Sequence, residues 1–138
     1  MSKQTKLILT GDLNFMGLKN VDTVFERVRE ELFDADAVIS NLECCFHGDQ
    51  VSSRNQSSTQ HFYPRSGQRE GFYADKQAVS ALKSANISLV GNANNCNYGD
   101  DAIRSTISVL KEKQIPFSGV GENWHEAQQP AFFQAGAA

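Results

Sequence analysis

The sequence lacks most of the features that usually declare a protein's class. No apolar run approaches the roughly 18 residues that a membrane-spanning helix needs, which argues against a membrane span. There are three cysteines, Cys44, Cys45 and Cys96, an odd number with no framework spacing, so neither a disulfide scaffold nor a paired Cys-x-x-Cys site is written here. Adjacent Cys44 and Cys45 are poorly placed to bridge each other and read as small, partly buried thiols beside a strand end. Lys and Arg number 13 against 16 Asp and Glu, a net charge of −3, and no basic stripe points to nucleic acid. No Walker loop and no Ser/His/Asp hydrolase order is present, and Gly119-Val120-Gly121 supplies only two glycines of a dinucleotide fingerprint. The polar start, Met1 to Lys6, leads into a short strand rather than a signal-peptide core. As written the chain reads as cytoplasmic, although a longer parent could be surface-associated.

What the chain does have is a repeated pattern. Lys6–Thr10 runs into Gly11-Asp12-Leu13-Asn14, Ala37–Ser40 into Asn41-Leu42-Glu43, and Ile87–Gly91 into Asn92-Ala93-Asn94-Asn95-Cys96-Asn97-Tyr98-Gly99. Each is a short apolar run that ends in a polar cluster, as a strand buried on both faces would. Between the runs lie stretches at helical spacing: Val21–Phe33, Lys76–Ser84 with Asp75 as N-cap, and Asp101–Lys113 opened by Gly99 or Asp100. Pro116 stops the last of these, Phe117–Val120 is a fourth strand candidate, and Ala131–Gln134 a fifth. Asn123-Trp124-His125-Glu126 has the form of a capping box and predicts a short helical turn. Strand–helix alternation with short turns predicts an α/β fold: a layered, mainly parallel sheet with flanking helices and right-handed crossovers. The exception is the polar stretch 46–72, expected as a long loop. Ala131–Gln134, followed by a few small residues, would leave a raw sheet edge, so residues 1–138 are expected to be the front portion of a longer single domain.

In such a sheet the three clusters share one edge, where open α/β folds place their active sites. Asp12, Glu43, Asn94 and Asn95 would bring oxygen donors there, a chemistry that suits divalent ions such as Mg²⁺ and Mn²⁺. Asp12 is placed to bind metal, Glu43 to act as ligand or base, and Asn41 to orient Glu43 or a phosphate oxygen; Asn14 stands beside them. Arg65 and Arg69, with Arg54, offer bidentate grips for an anionic substrate. Each residue also has a structural alternative. Asp12 can form a turn, Asn41 and Asn94 can close Asx-turns, Glu43 can join a surface ion pair, and the arginines can lie in a solvated loop. His47, His61 and His125 read as surface histidines.

In this order and spacing, Leu9–Gly17, Ala35–Glu43, Gly91–Asn95 with Tyr98-Gly99, and the later Ile115-Pro116-Phe117, Gly119-Val120-Gly121, Glu126-Ala127 and Pro130-Ala131 resemble the bacterial capsule-synthesis or poly-γ-glutamate-synthesis (CapA-type) family. The resemblance implies a calcineurin-like metallophosphoesterase fold and a metal-dependent phosphoester hydrolase site. On it, Asp12, Glu43 and Asn95 match metal positions; the match leaves out the 46–72 loop. Read from the residues themselves, Glu43, Asn94 and Cys96 are the catalytic candidates, and Asn41, Asn14, Arg65 and Arg69 the substrate-contact candidates. The implied cofactor is a divalent metal (Mn, Mg, Zn or Fe), and the implied partner a phosphoester or anionic polymer. Cys96 stands where the family motif Asn-Asn-His has its histidine, and a thiol is a poor replacement for imidazole as proton donor. The family's later histidine motifs are expected beyond Ala138.

Overall fold

The computed structural model describes residues 4–18, 20–47, 72–97 and 99–135. Four strands, β1 (Leu7–Leu13), β2 (Ala37–Leu42), β5 (Ile87–Gly91) and β6 (Phe117–Ser118), form a parallel sheet in the order β1-β2-β5-β6. Two short strands, β3 (Cys45–Phe46) and β4 (Tyr73–Ala74), make a separate parallel pair. Among the described residues the helices are α1 (Arg29–Phe33), α2 (Val79–Ser84) and α3 (Asp100–Glu112) between strands, and α4 (Trp124–Ala127) after β6. The architecture is the predicted α/β layout with a mainly parallel sheet. Among the described residues no helix is long and apolar enough to cross a membrane.

The main sheet grows in one direction only, so right-handed crossovers place its connections on one face. Burial follows that rule. Val38, Leu42, Ile87 and Val90 join α2, Leu110 and Phe46 in the core, with Ile8 and Leu13 packed against it. On the opposite face Leu9 is in register with Ile39, and Ile39 with Leu89, yet Leu7 is 54% and Leu9 74% exposed. Phe15, just beyond β1, packs edge-on against Phe25 at 6.2 Å and tilted against Phe46 at 6.0 Å. Phe46, expected as the start of the polar stretch, is instead fully buried in β3, where its N–H donates to Thr106 Oγ1 of α3 at 2.8 Å. Residues 48–71 of that stretch lie outside the described residues.

Several elements differ from the sequence expectation in extent. The helix expected over Val21–Phe33 contracts to a 3-10 turn at Glu26–Val28 followed by α1. Residues 21–25 carry β-branched Val21, Thr23 and Val24, which lose rotamer freedom in a helix. Asn20 Oδ1 also accepts from the Asp22 N–H at 3.1 Å, bending the chain as an Asx-turn. The strand expected at Phe117–Val120 stops at Ser118 because Gly119 turns to φ +88, where a Cβ would lie 2.7 Å from Ala93. Among the described residues Ala131–Gln134 pairs with no strand, and Phe132 is 85% exposed. Two caps fold as predicted: Asp75 accepts from the Gln77 N–H at 2.8 Å, and Asn123 from the Glu126 N–H at 3.0 Å while Glu126 accepts from its amide at 2.8 Å.

Candidate functional site

Register decides what meets at the sheet's C-terminal edge. Asp12 pairs with Asn41, Asn41 with Gly91 and Gly91 with Ser118, one row across four strands. Reaching that row requires an extra residue in β1, because Leu9 pairs with Ile39 but Asp12, not Gly11, pairs with Asn41. Such a bulge re-aims the side chain that follows it. β5 has a second irregularity between its pairings with Val38 and Ile39, and there the Ser88 hydroxyl accepts the Val38 N–H at 3.1 Å. Sequence reasoning placed the clusters on one edge without foreseeing either bulge; Gly11, directly after the apolar run Lys6–Thr10 and within β1, was the available signal.

The side chains then connect directly. Asn41 Nδ2 donates to Asp12 Oδ1 at 2.5 Å. Asn94 Nδ2 donates to Asn41 Oδ1 at 3.0 Å and to the Leu42 carbonyl at 3.4 Å. Beside this chain the Cys96 thiol donates to Glu43 Oε1 at 3.7 Å and lies 3.6 Å from Asn95 Oδ1. Asp12, Glu43, Asn94, Asn95 and Cys96, all singled out from sequence, therefore meet in one cluster. Asn41 was expected to orient Glu43 or a phosphate oxygen; of the protein groups, its side chain bonds Asp12 and Asn94 rather than Glu43. Asn14 accepts from the Met16 N–H at 2.9 Å, closing the turn after β1. Arg65, Arg69, Arg54 and His61 lie outside the described residues. His47 packs on Tyr73 with ring centroids 5.9 Å apart, and His125 sits on α4 beside Gln129.

Two supports went unassigned in the sequence. Asn92, 1% exposed, donates to the Leu42 carbonyl at 2.9 Å, and Asn97 donates to the Asn92 carbonyl at 2.9 Å. The buried Asn92 amide thus ties the 92–97 loop to β2, and the Asn97 amide closes that loop on itself. Their signal was the asparagine-rich run itself, in which every second or third residue can cap backbone.

The electrostatics of the edge are those of crowded anions. Partial burial pushes the Cys96 thiol pKa up, reinforced by the charge of Glu43, the hydrogen bond to it and the charge of Asp12. Cys96 is accordingly a neutral donor at neutral pH rather than a base. Both carboxylates act on one thiol, and the ion pairs among the described residues, Lys6–Asp34, Arg104–Glu122 and Lys113–Glu112, all lie elsewhere. Behind the edge, burial drives Cys44 to about 12 and raises Cys45 as well.

Whether these donors fit a metal turns on their chemistry. Among the described residues no group of three or more His, Cys, Asp and Glu is assembled as a metal cage. Mg²⁺ and Mn²⁺ sites do not need one: they commonly use one or two carboxylates, with water and substrate oxygens completing the shell. Two carboxylates with neighbouring amide oxygens fit that type.

Comparison with known proteins agrees with the resemblance seen in the motifs. The chain is 27% identical over 109 residues to the capsule biosynthesis protein CapA of Bacillus anthracis, an alignment covering 78% of this chain and 24% of the relative. It thus spans about a quarter of that protein's length. The family model for the bacterial capsule synthesis protein PGA_cap matches residues 5–138, from the start of β1 through the whole strand-end cluster, and the chain belongs to that family.

Proposed function

We propose that the strand-end cluster is the metal-binding edge of a CapA-like, metallophosphoesterase-type site that acts on a phosphoester or an anionic polymer precursor in capsule or poly-γ-glutamate synthesis. The observation that carries this reading is the joining of three separate strand ends by side-chain hydrogen bonds, Asp12–Asn41–Asn94 and Glu43–Cys96. Asp12, Glu43 and Asn95 would hold a divalent ion, Mn²⁺ or Mg²⁺ by donor type, with Zn²⁺ or Fe²⁺ as alternatives. When bound, such an ion polarises a phosphoryl oxygen and lowers the pKa of water. The chain's own contribution is placement. Glu43, half-buried and bonded to the Cys96 thiol, is the carboxylate available to take a proton. Asn94 directs its amide N–H groups inward to Asn41 and Leu42, so its oxygen is the acceptor left for a ligand.

A second reading is favoured by Cys96. A thiol held neutral by burial and by Glu43 cannot replace imidazole in proton transfer, which suits a non-catalytic module that binds anionic polymer or carbohydrate. Calorimetry with poly-γ-glutamate, with and without Mn²⁺, separates the two. Binding that requires Mn²⁺ supports the metal edge; equal binding without metal supports the module. In a phosphodiester assay with Mn²⁺ the 138-residue chain is expected to turn over little substrate. Robust turnover abolished by Asp12→Ala would overturn that expectation and show a complete catalytic centre.

A further inference from the structure

Resting on the metal-edge reading, we propose that Asn41 is a positioning residue for Asp12, and that Asn94 acts on Asp12 through it. The sense of both amides is fixed by acceptor-only groups at the two ends of the chain of bonds. Leu42 offers a backbone carbonyl, which can only accept, so Asn94 must turn its NH₂ toward β2. Asp12 offers a carboxylate, so Asn41 must turn its NH₂ toward β1. The remaining contact, Asn94 Nδ2 to Asn41 Oδ1 at 3.0 Å, then forms with donor facing acceptor. Flipping either amide would set oxygen against oxygen at one end and break this middle bond as well.

The relay is anchored in the core. The Leu42 carbonyl that orients Asn94 also accepts from buried Asn92 at 2.9 Å, and Asn41 stands in register between Asp12 and Gly91 on a paired strand. Asp12 is itself exposed, and an exposed aspartate otherwise samples several rotamers. Held at Oδ1 by Asn41, it presents its other oxygen in one direction, the preorganisation that a ligand carboxylate needs. Outer partners of this kind carry roughly 10- to 100-fold in metal affinity. Asn41 is thus assigned a role on Asp12 rather than a direct contact with substrate.

The test has a metal-free arm and a metal arm, both on the 138-residue chain. In isotope-labelled, metal-free protein, couplings to the Asp12 carboxyl carbon report its χ1. Wild type is expected to hold one rotamer, Asn41→Ala to average, and Asn94→Ala to average in part. Asn41→Asp, which keeps the shape but loses the donor, serves as the second variant and should release Asp12 as alanine does. Mn²⁺ uptake, followed by loss of the free ion's paramagnetic resonance signal, should weaken roughly 10- to 100-fold in Asn41→Ala. The double variant Asn41→Ala/Asn94→Ala should bind no more weakly than Asn41→Ala alone, because Asn94 has lost its route. Asp12 averaging in wild type, one unchanged rotamer in Asn41→Ala, or fully additive losses would overturn the relay. A fixed Asp12 in a wild-type chain that takes up no Mn²⁺ would contradict the metal edge while leaving the relay in place.

Discussion

Asn92 and Asn94 stand two residues apart after β5, and both donate an amide N–H to the Leu42 carbonyl. Asn92 is sealed in the interior, with its own N–H on the Ser118 carbonyl and its carbonyl accepting from Asn97. Asn94, half-buried, continues outward to Asn41 and from there to the exposed carboxylate of Asp12. One residue type on one acceptor thus serves two regions. In the inner one the bonds close on backbone and hold the fold; in the outer one they end on a charged side chain that faces water. What separates them is solvent access, because a buried amide without its partner costs desolvation that an exposed one does not.

The inner region should be broken first and hardest. Leu82→Ala, at a fully buried position of α2, is expected to cost about 2–5 kcal/mol by cavity formation, measured as a fall in the urea midpoint. Asn92→Ala removes the amide that ties the loop to β2 and should cost about 1–3 kcal/mol in the same experiment. High pH attacks the same region through Cys44, whose folded pKa stands at about 12 against an ordinary 9.0. Below pH 9 the thiol is protonated in both states and its contribution is fully present. Above that the unfolded chain releases the proton while the folded chain keeps it, so stability falls by about 1.4 kcal/mol per pH unit until pH approaches the folded value. Stability measured across that window should flatten in Cys44→Ala relative to its own value at pH 8. The outer region should respond least: Asp12→Asn and Asn94→Ala are each expected to change stability by no more than about 0.5 kcal/mol. A loss from Asn94→Ala as large as that from Asn92→Ala would erase the distinction between the two regions.

Much of this was legible in the sequence because it depends on local rules. The apolar runs at Leu7, Ala37 and Ile87, the Asp75 and Asn123 caps and the inward stripe of α3 all follow from periodicity and capping chemistry. The shared edge also followed, since parallel strands must end together. Register did not, because the β1 bulge depends on how two strands settle against each other rather than on either sequence alone. The partner of Asn41 was hidden for the same reason: only the bulge sets Asp12, and not Gly11, beside it. The last predicted strand, Ala131–Gln134, shows the converse limit, as an apolar run becomes a strand only where a neighbour pairs its backbone.

The central claim is that the outer cluster takes up a divalent cation through its carboxylates. Calorimetric titration of the wild-type chain, Asp12→Asn and Glu43→Gln with Mn²⁺ tests it most directly. The account predicts saturable uptake by wild type, loss in Asp12→Asn and weakening in Glu43→Gln, with all three equally folded by circular dichroism. Uptake that is unchanged in both variants, or no uptake by the folded wild-type chain, would contradict it.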